Sequence, residues 1–524
     1  MTQRLLVGGR IYSPTAPDAT AMATDGDTVV WLGADRPGRA LYPDAEVIDL
    51  AGAFVAPAFV DPHVHVTALG LQLTGLDLTG VRSRAELLLE LREYAARATD
   101  AVLFGQGWDD TEWPDRTPPT GAELTAAAAG RPVYLTRVDV HSALVAGLPG
   151  APPATESAVV CRAAHHDARA AAHARLTAEQ RDRARRAALD HAAARGVAAV
   201  HECAGPQIAG RDDLRELLAL QHGVDVRGYW GEAVTDPEQA RTLIDETGAA
   251  GLAGDLFVDG SLGSHTAWLR EPYADTPDTG TAYLDVATIT AHIRACTLAG
   301  TQAGFHAIGD AAVDAVVAGF GRVVAELGGP AVAARGHRIE HLEMIDAECA
   351  GKLAAWGVIA SVQPGFDAGW GGPDGMYAAR LGPQRAAAMN PFATLAAAGV
   401  PMAIGSDAPV TPIRPWAAVR AAVRHRTPGS GISPRAAFAA ATRGAWRAGG
   451  VRDGVAGTLV PGAPASYAVW AVDRFATPEP GRAGRAQRWS TDPRSGVPAL
   501  PQLDGVADPI CLRTVHHGVV IHDR

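Results

Sequence analysis

The feature that most restricts the fold is an alternation that runs through the middle of the chain. Short apolar runs recur at Phe54–Val60, Val197–Val200, Val224–Trp230, Leu256–Val258, Thr301–Phe305, Arg338–Glu340, Val358–Val362 and Pro401–Ile404. Between most of them lie Ala-, Leu- and Arg-rich stretches long enough for a helix. One of these opens on Thr177-Ala-Glu-Gln, a capping box, and continues to about Arg195. Eight short buried strands with intervening helices predict an α/β fold, a (β/α)8 TIM-like barrel over residues 56–454. The gap between the first two strands, about 67–195, is too long for one crossover and must hold an inserted subdomain. Both ends of the chain read as short β-branched strands between Gly and Pro turns, so residues 1–55 plus 455–524 are expected to form one composite β-sandwich domain.

In a barrel of this kind the working groups gather where strands end, at the C-terminal face. The first strand ends Val60-Asp61-Pro62-His63-Val64-His65 and the second His201-Glu202-Cys203. The fourth gives Asp255 just before it and Asp259 just after, His306 ends the fifth, His341 the sixth, and Gly405-Ser406-Asp407 the eighth. A His-x-His on an extended strand puts both imidazoles on one face, about 6–7 Å apart along the chain. Both can then reach one ion at about 2.0–2.1 Å. With His306, His341 and Asp407 brought to the same rim, the donor set suits a divalent ion, Zn²⁺ first, with Fe²⁺ or Mn²⁺ as alternatives.

Composition removes other classes. The 46 basic residues are outnumbered by 57 acidic ones, and a formal charge of -11 would be repelled by nucleic acid and by anionic membranes. No apolar run reaches 18 residues, and Leu5-Leu6-Val7 is too short an apolar stretch for a signal peptide. Five scattered cysteines never spaced as CxxC argue against a disulfide framework, so a cytoplasmic location is expected. The expected partner is a small-molecule substrate, and a homodimer is admissible.

The stretches Val60–His65, Asp259-Gly260-Ser261-Leu262-Gly263-Ser264-His265-Thr266-Ala267, Phe305–Asp310, Ile339-Glu340-His341 and Gly405-Ser406-Asp407-Ala408-Pro409 together resemble the metal-dependent amidohydrolase superfamily. More narrowly, they resemble amidohydrolase family 3, its YtcJ-like and N-substituted formamide deformylase-like branch. The resemblance extends to Gly457–Pro464 and so covers nearly the whole chain. It implies metal ligation by His63, His65, His306, His341 and Asp407, with Asp407 and His341 as the catalytic pair and Asp407 moving the protons. It also implies a hydrolase acting on a C–N bond, amide or formamide-like, through an activated water. A deaminase, a lactonase or a decayed binding protein on the same barrel are the alternatives.

One departure bears on the metal. Many members of that family carry a lysine four residues before the Asp-Gly-Ser motif, which bridges two ions as a carbamate. Here that position is Asp255, and the only lysine, Lys352, falls in a helix-like stretch before the seventh strand. A lysine-carbamate bridge is therefore excluded. One ion, two ions joined by Glu202, Cys203 or Asp255, and a degenerate site all remain, with Glu202 the first choice of bridge for its reach. Trp108, His141 and His265 are the candidate substrate-binding residues. Trp113, Trp230 and Gln363 are placed near the same cavity, and His165-His166 and His516-His517 at the surface.

Overall fold

A computed structural model describes residues 3–114, 116–138, 140, 142–476 and 499–524 of the chain. Eight parallel strands form its central sheet: β1 Phe59–Val64, β2 Val197–Ala204, β3 Asp225–Trp230, β4 Gly251–Leu252, β5 Gln302–Ala307, β6 Arg338–His341, β7 Ile359–Val362 and β8 Met402–Ile404, hydrogen-bonded in that order. The sheet closes beyond the end of β8, where His65 N–H donates to Ala408 O (2.8 Å) and Asp407 N–H to His63 O (2.9 Å). The barrel and its rim are therefore built by the same two segments. Every residue of β1 and β2 is buried, as expected of strands covered on one side by helices and on the other by the barrel interior.

The fourth strand departs from the sequence reading. The apolar run Leu256–Val258 looks like a strand, but the regular pairing lies earlier, with Gly251 opposite Gln302 and Leu252 opposite Ala303. Contact with β5 resumes where Phe257 meets His306. Between the two, Ala253–Asp255 bulge out of the ladder. Gly254 makes this possible at φ +76°, and a Cβ there would stand 3.0 Å from Cys203 Cβ. Gly231 gives the bulge room on its other side, since a Cβ at that position would lie 2.5 Å from Asp255 O.

Strands from both termini share sheets outside the barrel. One five-stranded sheet combines Arg10–Ile11 and Phe54–Pro57 with Tyr467–Ala471, Ile510–His516 and Val519–Asp523. A four-stranded sheet of the N-terminal residues packs beside it. The segment between β1 and β2 carries its own five-stranded sheet, Leu76–Asp77, Leu103–Trp108, Val133–Arg137, Ser142–Ala146 and Val159–Cys161, and the helices Arg162–His173 and Ala178–Ala193. The second helix has the capping box expected at Thr177 and Gln180. No helix among the described residues is long and apolar enough to cross a membrane.

Candidate metal centre

Along β1, alternation places Asp61 and His63 on the inner face, and His65 follows just past the strand end. On β6 the same rule turns Arg338 and Glu340 inward and would send His341 outward. His341 instead has φ +69° and Leu342 φ +48°, which breaks the alternation and returns the imidazole to the rim. Asp407 sits at φ +56° for the same purpose. Left-handed residues that are not glycine cost about 1–3 kcal/mol each, and here they gather at the rim of the barrel.

These segments bring four imidazoles and two carboxylates to one point. His63 Nε2 lies 3.4 Å from Asp255 Oδ1 and 3.4 Å from Asp407 Oδ1. His65 Nε2 lies 3.3 Å from Asp255 Oδ2 and 3.3 Å from Asp407 Oδ1. On the other side of the Asp255 carboxylate, Oδ1 stands 3.6 Å from His306 Nδ1 and 3.9 Å from His341 Nε2. Donors held 2.0–2.1 Å from one tetrahedral ion are spaced about 3.3–3.4 Å from each other, so the first cluster has the edge length of a coordination shell. His63 Nε2, His306 Nδ1, Asp255 Oδ1 and Asp407 Oδ1 are all buried without a hydrogen-bond partner. Buried polar atoms are normally satisfied. Divalent ions would satisfy them, and two donor sets fit such ions, His63 and His65 with Asp255, and His306 and His341 with Asp255.

Asp255 belongs to both halves of the cluster, one with His63 and His65, the other with His306 and His341. It reaches this place because the bulge before Leu256 carries it out of the strand. Burial opposes its charge, but the surrounding imidazoles, His63 foremost, hold its carboxyl well below the usual range. Glu202, the first choice from sequence, is turned aside. Its Oε2 accepts the Val66 N–H at 2.6 Å, and burial pushes its pKa up to about 7. Cys203 is a buried thiol pushed up to about 12 by the same cause. Lys352 is remote from the cluster, on the exposed face of helix Ala347–Ala355, where it pairs with Glu348 at 2.7 Å.

Supporting groups fix which nitrogen of each ring is presented. Glu340 Oε2 takes His63 Nδ1 at 2.9 Å, and Gln363 Oε1 takes His341 Nδ1 at 2.8 Å. His306 Nε2 is directed at Gly260 O, 3.2 Å away. Each ring thus keeps its free nitrogen for the centre, the arrangement that orients imidazole ligands in metal sites. Glu340 is itself held by Arg338 through Nε (2.5 Å) and Nη2 (2.8 Å), and both side chains are fully buried. Asp259, the first residue of the Asp-Gly-Ser stretch, works on the backbone. Its carboxylate accepts the N–H groups of Trp268, Ile308 and Gly309 and ties the loops after β4 and β5 together.

The cluster opens into a cavity of about 760 Å³, shared between the barrel rim and the inserted segment. His65, Glu202, Asp255, His306, His341 and Asp407 line its floor. Neither Trp108 nor His265 is among the residues that line its walls. Trp108 is buried in the core of the insertion, with its Nε1–H donated to Leu135 O at 2.9 Å, and Trp113 packs in the same core. His265 turns away to Asp275, 3.0 Å from its Nε2, and Trp230 donates to Glu232. His141 lies outside the described residues. His165, expected at the surface, is buried, and with His166, Arg169 and His173 it faces the cavity from helix Arg162–His173. The signal was present in the spacing: His165, Arg169 and His173 recur every four residues and share one helix face.

A family model described as the amidohydrolase family matches residues 46–522. The chain is 27% identical to YtcJ of Bacillus subtilis (strain 168) over 423 residues, 74% of this chain and 76% of that one. It is 26% identical to Protein LONG AFTER FAR-RED 3 of Arabidopsis thaliana, over 81% of this chain and 78% of that protein. Among solved structures, an uncharacterized metal-dependent hydrolase from Pyrococcus furiosus superposes with a TM-score of 0.70 at 26% identity, covering 89% of this chain and 98% of that one. Another from Pyrococcus horikoshii gives 0.72 at 25% identity, covering 90% and 98%.

Proposed function

The chain belongs to the amidohydrolase family and is a metal-dependent hydrolase, and we propose that it cleaves the C–N bond of an amide or formamide-like group in a small organic molecule. The observation that carries the reading is the set of four buried, unpartnered donor atoms converging on the floor of the cavity. In this reading His63, His65, His306, His341, Asp255 and Asp407 hold a divalent ion, Zn²⁺ first. The sharing of Asp255 between two clusters supports a pair of ions with that carboxylate between them.

A divalent ion bound there supplies an electrophile for the amide carbonyl and brings the pKa of a water towards about 7. The protein's own groups do the rest. Asp407, held at the barrel seam by its backbone bond to His63, takes the proton of the attacking water and passes it to the leaving nitrogen. His341, its Nδ1 fixed by Gln363, would present Nε2 to the ion from the opposite side of the floor. The inserted segment lines the cavity across from the floor with Phe104, Gln106 and Tyr134.

A panel of formamides, N-acyl amines, cyclic amides and lactones, each with and without chelator, tests the assignment. Chelator-sensitive release of amine from at least one amide class is the expected result. Turnover confined to lactones, or none with any amide after Zn²⁺ or Mn²⁺ is restored, would refute it.

A further inference from the structure

We propose that the wall of the cavity opposite the barrel is an anion subsite built on Arg169, and that the substrate is an amide carrying a free carboxylate. The proposal rests on the hydrolytic reading above and names the substrate class for it.

Arg169 lines the cavity from helix Arg162–His173. Its Nε donates to Tyr134 Oη at 3.3 Å and its Nη2 to Val140 O at 2.9 Å. Both acceptors are neutral. No carboxylate among the described residues lies within ion-pair distance of the guanidinium, whereas the buried arginines Arg338 and Arg185 are paired, with Glu340 and Asp213 respectively. A guanidinium has five N–H donors in a fixed fork. Two of its bonds clamp the side chain to the insertion, and nothing among the described residues takes its remaining donors, which a bidentate acceptor in the cavity can use.

The surroundings are matched to the same end. The Tyr134 hydroxyl, accepting from Arg169, has its single proton left for His165 Nε2 at 2.8 Å, and the two rings stack at 8°. This fixes the guanidinium's seat without supplying a charge. His166 and His173 border the same wall and add ring nitrogens rather than acids. Besides Asp255 and Asp407, the acidic side chains that line the cavity are both engaged: Glu202 holds the Val66 N–H and Glu232 the Trp230 indole. Leu71, Phe104 and Phe257 give the space between floor and wall an apolar lining. An amide with an apolar body and a carboxylate at its far end has a partner for each part. Because the whole chain is acidic, long-range attraction does not bring an anion in, and selectivity must come from Arg169 at contact.

The test uses matched pairs, N-acetylphenylalanine against N-acetylphenethylamine and N-acetyl-6-aminohexanoate against N-acetylpentylamine. For the metal-loaded enzyme, kcat/KM is compared within each pair, and calorimetry on the metal-free chain measures binding of the same four compounds. In at least one pair the carboxylate should be preferred ten- to a hundredfold, as charge-assisted bidentate contacts allow. Arg169→Gln should erase that ratio, while Arg169→Lys, which keeps the charge but not the fork, should retain part of it. Equal treatment of both members of every pair, or a ratio unchanged in Arg169→Gln with metal content intact, would overturn the subsite. Preferential binding without hydrolysis of any amide would leave the subsite standing and remove the hydrolytic reading instead.

Discussion

Glu340→Gln is the substitution that separates support of the metal centre from occupation of it. The carboxylate accepts two bonds from Arg338, at 2.5 and 2.8 Å, and one from His63 Nδ1 at 2.9 Å, with neither acid nor base exposed. Arg338 holds the Glu340 pKa down to about 2, against the effect of burial. Removing the charge leaves a buried guanidinium unpaired, which costs about 3–5 kcal/mol. It also frees the His63 ring, and the loss of such a support lowers metal affinity about 10–100-fold. Urea unfolding of the metal-free protein reads the first effect, and Zn²⁺ competition against a chromophoric chelator reads the second. In the double variant Arg338→Met/Glu340→Leu the stranded charge is gone, so part of the stability should return. It does not all return, because Pro62 O, Ser361 Oγ and His201 Nδ1 lose their bonds to Arg338. Affinity should stay low, because His63 Nδ1 is still unsupported. Wild-type affinity in either variant would refute the assigned role of Glu340.

Three further outcomes are expected. His337 is buried and neutral, with its pKa pushed down to about 3 by burial first and then by the nearby His292 and Arg335. Its folded value lies below the unfolded one of about 6.5, so its contribution is complete above pH 6.5 and is lost as pH falls towards 3, by about 1.4 kcal/mol per unit. Urea midpoints between pH 7.5 and 5 should therefore fall more steeply in wild type than in His337→Gln, and equal slopes would contradict this. Lys352→Arg should leave metal content unchanged by elemental analysis, and bicarbonate should not alter loading, whereas metal loss would restore a lysine to the site. His63→Ala/His65→Ala should remove the ion on that side of Asp255 while far-UV circular dichroism stays that of a folded barrel, and undiminished metal content would overturn the cluster.

Much of the rim was legible because barrel topology converts position in sequence into position in space. His63, His65, His306 and Asp407 follow apolar runs, and parallel strands deliver run ends to one face. Asp255 was harder to rank. Its place depends on a bulge, and Leu256-Phe257-Val258 carries a stronger strand signal than the Gly251–Leu252 pair that actually forms the ladder. Reach along an extended strand favoured Glu202, yet a bulged backbone moves a short side chain further than one extra methylene does. His341 was found for its motif, although strand alternation alone would have pointed it outward. The cavity wall was least legible. Two tryptophans drew attention as large flat surfaces, but both are spent on the insertion's own core. The helix that lines the cavity looked like a polar surface segment, and only its four-residue spacing of His165, Arg169 and His173 marked a shared face.

In the proposed reading Asp255 would stand between two metal positions, His63 with His65 on one side and His306 with His341 on the other. Anomalous scattering at the zinc edge, with elemental analysis of the same protein, tests it most directly. Two peaks are predicted in the wild-type chain, one beside each histidine pair, with about two ions per chain falling to one or fewer in Asp255→Asn and remaining at two in Glu202→Gln. A single ion in the wild type, or two ions undiminished in Asp255→Asn, would contradict the account.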